Sequence, residues 1–313
     1  EEEIMANARE IQNRMKSIQD TLKITNAMYM ISSTKLQKAK KSLAQTENYF
    51  FTLQNMISRI LRHLPENNQL DTNPYFDIRE KKAEKDRVRG YIVVTADKGL
   101  AGAYNHNVLK LAEEQMEGSG QYKLFVVGEL GRQFFAAHGV PLEKHFHYTA
   151  QNPTLHRARI ISETVIGQFL EGQLDEVYLI YTAMKNSMTT EPRMMQLLPM
   201  VRETCLSRAA VVSGIFQEEF VLEPSPRAVL NNIIPDTIMG YIYGALVESF
   251  CSEQNARMMA MEAANKSGAD MLHNLSIQYN RVRQAQITQE ITEVIAGAKA
   301  QKRKKKQKAG KEA

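Results

Sequence analysis

The segment Thr95-Ala96-Asp97-Lys98-Gly99-Leu100-Ala101-Gly102 sets glycines between a β-branched run and a helix-like run, the setting in which backbone N–H groups at a helix start can hold a phosphate. Its spacing matches neither GxGxxG nor GxxxxGK[ST], the two patterns that make phosphate recognition specific, so a tight structural turn is the better reading. His138, His145, His147 and His156 gather loosely. Two positions apart, His145 and His147 would share one face of a strand, yet a metal would need a further ligand with its own spacing and none follows. Surface or turn histidines fit the pattern better. Cys205 and Cys251 have no neighbouring His pair and read as reduced, partly buried thiols, not as zinc ligands or a disulfide. No Ser-His-Asp, paired-carboxylate or Cys-His arrangement stands out. The residues therefore predict no catalytic site, no cofactor and no metal.

What positions these residues is two long helical stretches around an alternating middle. From Ile4 to Leu64 there is neither Gly nor Pro, and Pro65 ends the run. Ile11, Met15, Ile18, Leu22, Thr25, Tyr29, Ser32, Leu36, Ala39, Leu43, Thr46, Phe50, Leu53, Ile57, Ile60 and Leu64 recur in alternating steps of four and three. This is the seam of one coiled-coil helix, roughly 90 Å long at about 1.5 Å per residue. Such a stripe cannot be buried alone. Residues 66 to 89 are polar and read as a linker. The runs 90–95 (GYIVVT), 122–127 (YKLFVV) and 176–182 (EVYLIYT) predict strands, with helices over 107–117, 129–137 and 155–170 between them. Strands alternating with helices indicate a small α/β domain with a largely parallel sheet. From Asp236 to about Ala300 the helical pattern returns, with a looser seam rich in Ala256, Ala260, Ala263, Ala264 and Ser267. Small residues admit a close neighbour, so antiparallel pairing of the first and last helices serves both stripes.

Composition agrees with a globular chain: 43% of the 313 residues are apolar and 24% charged. The longest apolar stretch, 229–247, is cut by Pro235 and Asp236, so no transmembrane helix is expected. Glu1-Glu2-Glu3 is opposite in charge to a signal or transit peptide, and Met5-Ala6-Asn7 reads as a start site with residues 1–4 an addition before it. The formal charge of +5 is concentrated in residues 301–313, where Lys302, Arg303, Lys304, Lys305, Lys306, Lys308 and Lys311 face only Glu312. The basic character thus belongs to a tail expected to be disordered, not to a folded face. Two rival classes are an α/β nucleotide enzyme with a coiled-coil dimerisation arm and a nucleic-acid tether acting through Lys302 to Lys308. The sixteen methionines, Met28, Met30, Met258, Met259 and Met261 among them, read first as core filling.

Family resemblance is carried by the helix ends. Residues 287–300 (ITQEITEVIAGAKA) resemble the C-terminal signature of the γ subunits of F-type ATP synthases; residues 252–264 (SEQNARMMAMEAA) and the span from Arg9 through residues 23–28 (KITNAM) to Leu36 resemble two further blocks. Residues 95–107 are similar to the family's Ser/Thr-Asp-basic-Gly-Leu-x-Gly segment, and 220–224 (FVLEP) to its foot segment. The resemblance implies a two-helix rod, a long antiparallel coiled coil of the chain ends, with an inserted Rossmann-like α/β domain. Implied boundaries are 1–64 for the N-terminal helix, 65–87 for the linker, 88–215 for the α/β domain, 216–235 for the foot, 236–300 for the C-terminal helix and 301–313 for the tail. Implied function is that of a non-catalytic rotor shaft, coupling proton- or sodium-driven rotation of the c-ring to conformational change in the catalytic β subunits. Implied partners are the α and β subunits of the hexamer, the ε subunit and the c-ring, with no nucleic acid and with membrane association only through the complex. That places the chain on the cytoplasmic face of a bacterial plasma membrane, or alternatively on an organellar matrix or stroma side. Met28, Lys35, Glu253, Arg257, Arg283, Gln284, Thr288 and Glu290 match β-contact positions, and Phe220, Glu223 and Pro224 match the foot that meets ε and the c-ring. Asn26 stands where the family often has Lys, the basic tail is an addition, and no Cys-containing insertion of the chloroplast type is present.

Overall fold

A computed structural model describes residues 2–64, 73–79, 82–185, 189–208 and 222–309, the side chains of 2–7, 207–208 and 302–309 excepted. The elements are α1 (Glu2–His63), β1 (Val88–Val94), α2 (Tyr104–Glu117), β2 (Gln121–Val127), α3 (Glu129–Ala137), α4 (Leu155–Leu170), β3 (Glu176–Met184), β4 (Thr190–Leu198), α5 (Arg202–Arg208) and α6 (Pro226–Ala309). They divide into two compact units, Glu1–Met30 with Met261–Ala313, and Ile31–Ala260.

In the larger unit the four strands are ordered β2-β1-β3-β4. β1 pairs parallel with both β2 and β3, while β3 and β4 pair antiparallel. The sheet is therefore mixed. β4 was absent from the expected strands because Glu191, Pro192 and Arg193 disguise it, but an edge strand bonds on one side only and tolerates a residue without N–H. On the opposite edge, bridges from Leu142 to Leu124 and from Tyr148 to Val127 cover β2. The last five residues of β1 and the last four of β2 are buried, and β3 is buried except at Tyr178, Tyr181 and Met184, as the continuous apolar runs require when helices lie on both faces.

The core extends from this sheet onto both long helices. Ile57, Ile60 and Leu61 of α1 and Leu230, Ile234, Ile238 and Ile242 of α6 join Phe125, Phe146 and Phe169 in one cluster. Spaced four apart, the α6 residues form a single buried stripe, which explains two departures from expectation. The helix starts at Pro226, not Asp236, and it runs through Pro235, whose missing N–H costs about 3 kcal/mol in a free helix. Burial of Ile234 and Ile238 on either side offsets that cost. Part of the presumed linker is also folded: Asn73 caps a short helical turn at Tyr75 and bonds Asn231, and Tyr75 and Phe76 are buried. Further along, Ser42 meets Tyr243 at 3.0 Å and Phe50 packs on both Tyr243 and Gly240, so α1 and α6 run antiparallel here.

The smaller unit is a pair of helical segments. Leu22 sits on Gly268, Thr25 bonds Asn265, and Asn265 donates to Asn26 at 2.9 Å, again an antiparallel register. α6 stays helical to Ala309, through most of the segment expected to be disordered from 301. Lys, Arg, Gln and Ala are good helix formers, and the first glycine of the tail is Gly310.

Candidate functional site

At the carboxyl end of β1, where parallel strands leave in opposite directions to β2 and β3, an open α/β sheet offers its usual ligand crevice. The loop 95–103 lies there. Thr95 ties it inward: its hydroxyl donates to the Val127 carbonyl at 2.9 Å and accepts from the Gly131 N–H at 3.1 Å. Gly128, at φ 98°, lets this happen, since a Cβ there would lie 2.4 Å from the Thr95 carbonyl oxygen. Asp97 brackets the next segment, accepting from the backbone N–H groups of Glu129 (3.0 Å), Ala150 (3.1 Å) and Gln151 (3.2 Å) and from the Thr149 hydroxyl. The Ala96 N–H donates to Asn105 at 2.9 Å.

What the loop turns toward α6 is not N–H groups but carbonyls. Arg257 Nη2 donates to the oxygens of Lys98 (3.1 Å) and Gly99 (3.0 Å), while its Nη1 bonds Glu253 Oε1 at 2.6 Å. One helical turn apart, Glu253 and Arg257 share a face of α6, and their side chains are only 4% and 9% exposed. A buried ion pair is tolerable only when the remaining donors are also satisfied, and the two loop carbonyls do this for the guanidinium. Gln254 adds a donor to Glu253 at 3.2 Å. Burial still pushes the Glu253 carboxyl above the ordinary range, against Arg257 and, more weakly, Lys35. Beneath the pair, burial, with the Glu253 charge, pushes the Tyr104 phenol well up. Ser249 and Ser252 on the same helix bind Thr182 of β3, the first to its N–H and the second to its carbonyl. This arrangement suits a cation delivered by a side chain, so the phosphate-loop likeness ends at the order of elements.

The other expected contact residues are scattered between the units. In the larger, Lys35 is half-buried and Glu223 and Pro224 are exposed; Phe220 lies outside the described residues. In the smaller, Met28 is half-buried, and Arg283, Gln284, Thr288 and Glu290 are exposed. Glu253 and Arg257 were expected on a contact face, and both are buried inside the larger unit. Sequence reasoning missed the loop carbonyls, since any residue supplies one. It also missed an exposed stripe of Ile287, Ile291, Val294 and Ile295, although their helical spacing was there to read. His145 lies in an exposed turn, and the exposed His147 approaches Glu129 at 3.4 Å, so the two do not share a strand face. Among the described residues no His, Cys, Asp and Glu group could hold a metal, and both cysteines are buried and outside any disulfide.

Long terminal helices carrying a mixed α/β sheet between them define the class of protein to which the comparisons then give a family. A family profile described as ATP synthase matches residues 7–301. The ATP synthase gamma chain of Ruminiclostridium cellulolyticum is 41% identical over 295 residues, covering 94% of this chain and 98% of that one. That of Acetivibrio thermocellus is 41% identical over 305 residues, covering 95% and 100%. A chain in the cryo-EM structure of the Euglena gracilis mitochondrial ATP synthase, OSCP/F1/c-ring, rotational state 3, is 15% identical with a TM-score of 0.60 and 94% coverage of both chains, a likeness of fold. This chain belongs to the ATP synthase gamma chain family.

Proposed function

We propose that this chain is the central rotor shaft of an F-type ATP synthase, turned by a proton- or sodium-driven c-ring and forcing the catalytic β subunits through states of different nucleotide affinity. The observation that carries the reading is identity of 41% to ATP synthase gamma chains along nearly the whole length. The geometry supports it. Both long helices pair antiparallel in the manner of a coiled coil, and the smaller unit exposes Ile24, Met30, Met271, Ile277, Ile287, Ile291, Val294 and Ile295, apolar groups that a surrounding sleeve of α and β subunits would cover. Rotation can shift the β subunits only through contacts that differ between their states, and an unevenly apolar helix pair supplies such contacts. Met28, Lys35, Arg283, Gln284, Thr288 and Glu290 are the proposed β contacts, and Phe220, Glu223 and Pro224 the proposed foot toward ε and the c-ring. Glu253 and Arg257 act inside the chain. No helix of the described residues is long and apolar enough to cross a membrane, and we place the chain at the cytoplasmic face of a bacterial plasma membrane, attached through its complex.

The chain alone is expected to hydrolyse no ATP, and its addition to α and β subunits to stimulate their turnover strongly. Hydrolysis by the chain with α and β rigorously excluded, or α and β turnover indifferent to it, would overturn the reading.

A further inference from the structure

The β1–α2 loop is anchored at three places and strained at one. Asn105 holds Ala96, Asp97 is bracketed by backbone N–H groups, and Arg257 holds the carbonyls of Lys98 and Gly99. Next to them Leu100 adopts φ 63°, a left-handed conformation that a side chain with a Cβ resists, and it does so while exposed to solvent. Such a conformation persists only where the surroundings over-determine it. The first two anchors act before the strained residue, whereas Arg257 holds the peptide groups that lead directly into it.

We propose that the 95–103 loop is a carbonyl cradle for a guanidinium, filled by Arg257 of the same chain, and that Arg257 is the positioning residue that holds the exposed Lys98–Leu100 tip in place. A planar guanidinium can face a carboxylate with one amino group and two carbonyls with the other. An ammonium is a point charge and cannot span the same set. Glu253 orients the guanidinium, and the pair is buried deeply enough that losing either partner removes the other's ion-pair partner from a site where water screens little. The inference stands apart from the rotor reading, because it concerns order within the larger unit and holds whether or not the chain turns in a hexamer.

Amide hydrogen exchange on the full chain, alone and assembled with α and β subunits, tests it. Arg257→Ala should speed exchange of peptides covering 95–104 by about tenfold, the loss of charge-assisted bonds, with the buried amides of β1 and β2 unchanged. Arg257→Lys should give an intermediate acceleration. Guanidinium added to Arg257→Ala well below denaturing concentration should restore most of the lost protection, and sodium at equal ionic strength should not. Unchanged loop exchange in Arg257→Ala, or equal effects of guanidinium and sodium, overturns the cradle. Should Arg257→Ala not fold, Glu253→Gln keeps the guanidinium but frees it from its carboxylate and should speed the same peptides about threefold. No acceleration there would overturn the proposal equally.

Discussion

The two units of this chain bury their apolar residues to different degrees. Residues 31–260 enclose a sheet whose phenylalanines 125, 135, 146 and 169 are fully or almost fully inaccessible. The segments Glu1–Met30 and Met261–Ala313 make a helix pair whose buried seam is thin and whose Val294 is 72% exposed. The first carries its own core and the second leaves much apolar surface without a partner. Substitutions in the sheet should therefore act on the stability of the isolated chain, while those on the exposed stripe should act on assembly.

The largest effect expected is at Phe125, buried against Phe146 with ring centroids 5.2 Å apart. Phe125→Ala should cost about 3–5 kcal/mol, measured by denaturant unfolding of the isolated chain. A loss below about 1 kcal/mol would mean that the sheet core is not what holds this unit together.

Next comes the charged base of the sheet, where Glu176 accepts from Arg87 (3.1 Å), Arg89 (2.9 Å) and Tyr178 (3.0 Å). Burial alone would raise this carboxyl, but Arg89, Tyr178 and Arg87 together hold it below its ordinary value of 4.5. Asp175 is held low in the same way: against burial, Lys82 and the Val88 N–H favour its charged form. Both groups bind protons more weakly folded than unfolded. Their contribution is thus full above the ordinary carboxylate range and is lost as pH falls through the lowered folded values. Glu176→Gln should cost about 1–3 kcal/mol at neutral pH and flatten the acid limb of a stability-versus-pH curve. Parallel curves for variant and parent would refute the assignment.

Two glycines on α6 sharpen the contrast at smaller scale. A Cβ at Gly240 would lie 2.2 Å from the Phe50 ring, whereas one at Gly268 would meet the flexible end of Leu22 at 2.7 Å. Gly240→Ala should lose about 1–2 kcal/mol in thermal unfolding as the ring is displaced. Gly268→Ala should stay within about 0.5 kcal/mol, the helix-propensity gain offsetting the shift of Leu22. Equal losses at both would erase the distinction between a rigid and a yielding neighbour.

The smallest effect on stability and a clear one on assembly are expected together at Ile291. Ile291→Asp should change the isolated chain by no more than about 0.5 kcal/mol, since the residue is exposed. Its binding to α and β subunits, followed by size-exclusion chromatography or titration, should weaken at least about tenfold as a charge enters an apolar contact. Unaltered assembly would leave the stripe without a partner among those subunits.

How much of this was legible follows from how local each cause is. The helix from residue 2 to 63 could be read because nothing along Ile4 to Leu64 interrupts it and its stripe repeats in helical steps. Strands β1, β2 and β3 could be read because continuous β-branched and aromatic runs are unusual outside a buried sheet. α3 and α4 match the expected spans, and α2 starts three residues before the expected Asn107. Family membership was legible too, since the helix ends carry long blocks of specific residues. What the tertiary structure alone decided lies where a distant partner overrides a local preference. β4 exists because β3 supplies its hydrogen bonds despite Pro192, and α6 crosses Pro235 because the core buries the residues around it. The exposed or buried fate of residues that look alike in sequence, Arg283 against Arg257, was decided there as well. Arg257 meets carbonyls 158 and 159 positions away, and a carbonyl leaves no mark in a sequence because every residue has one.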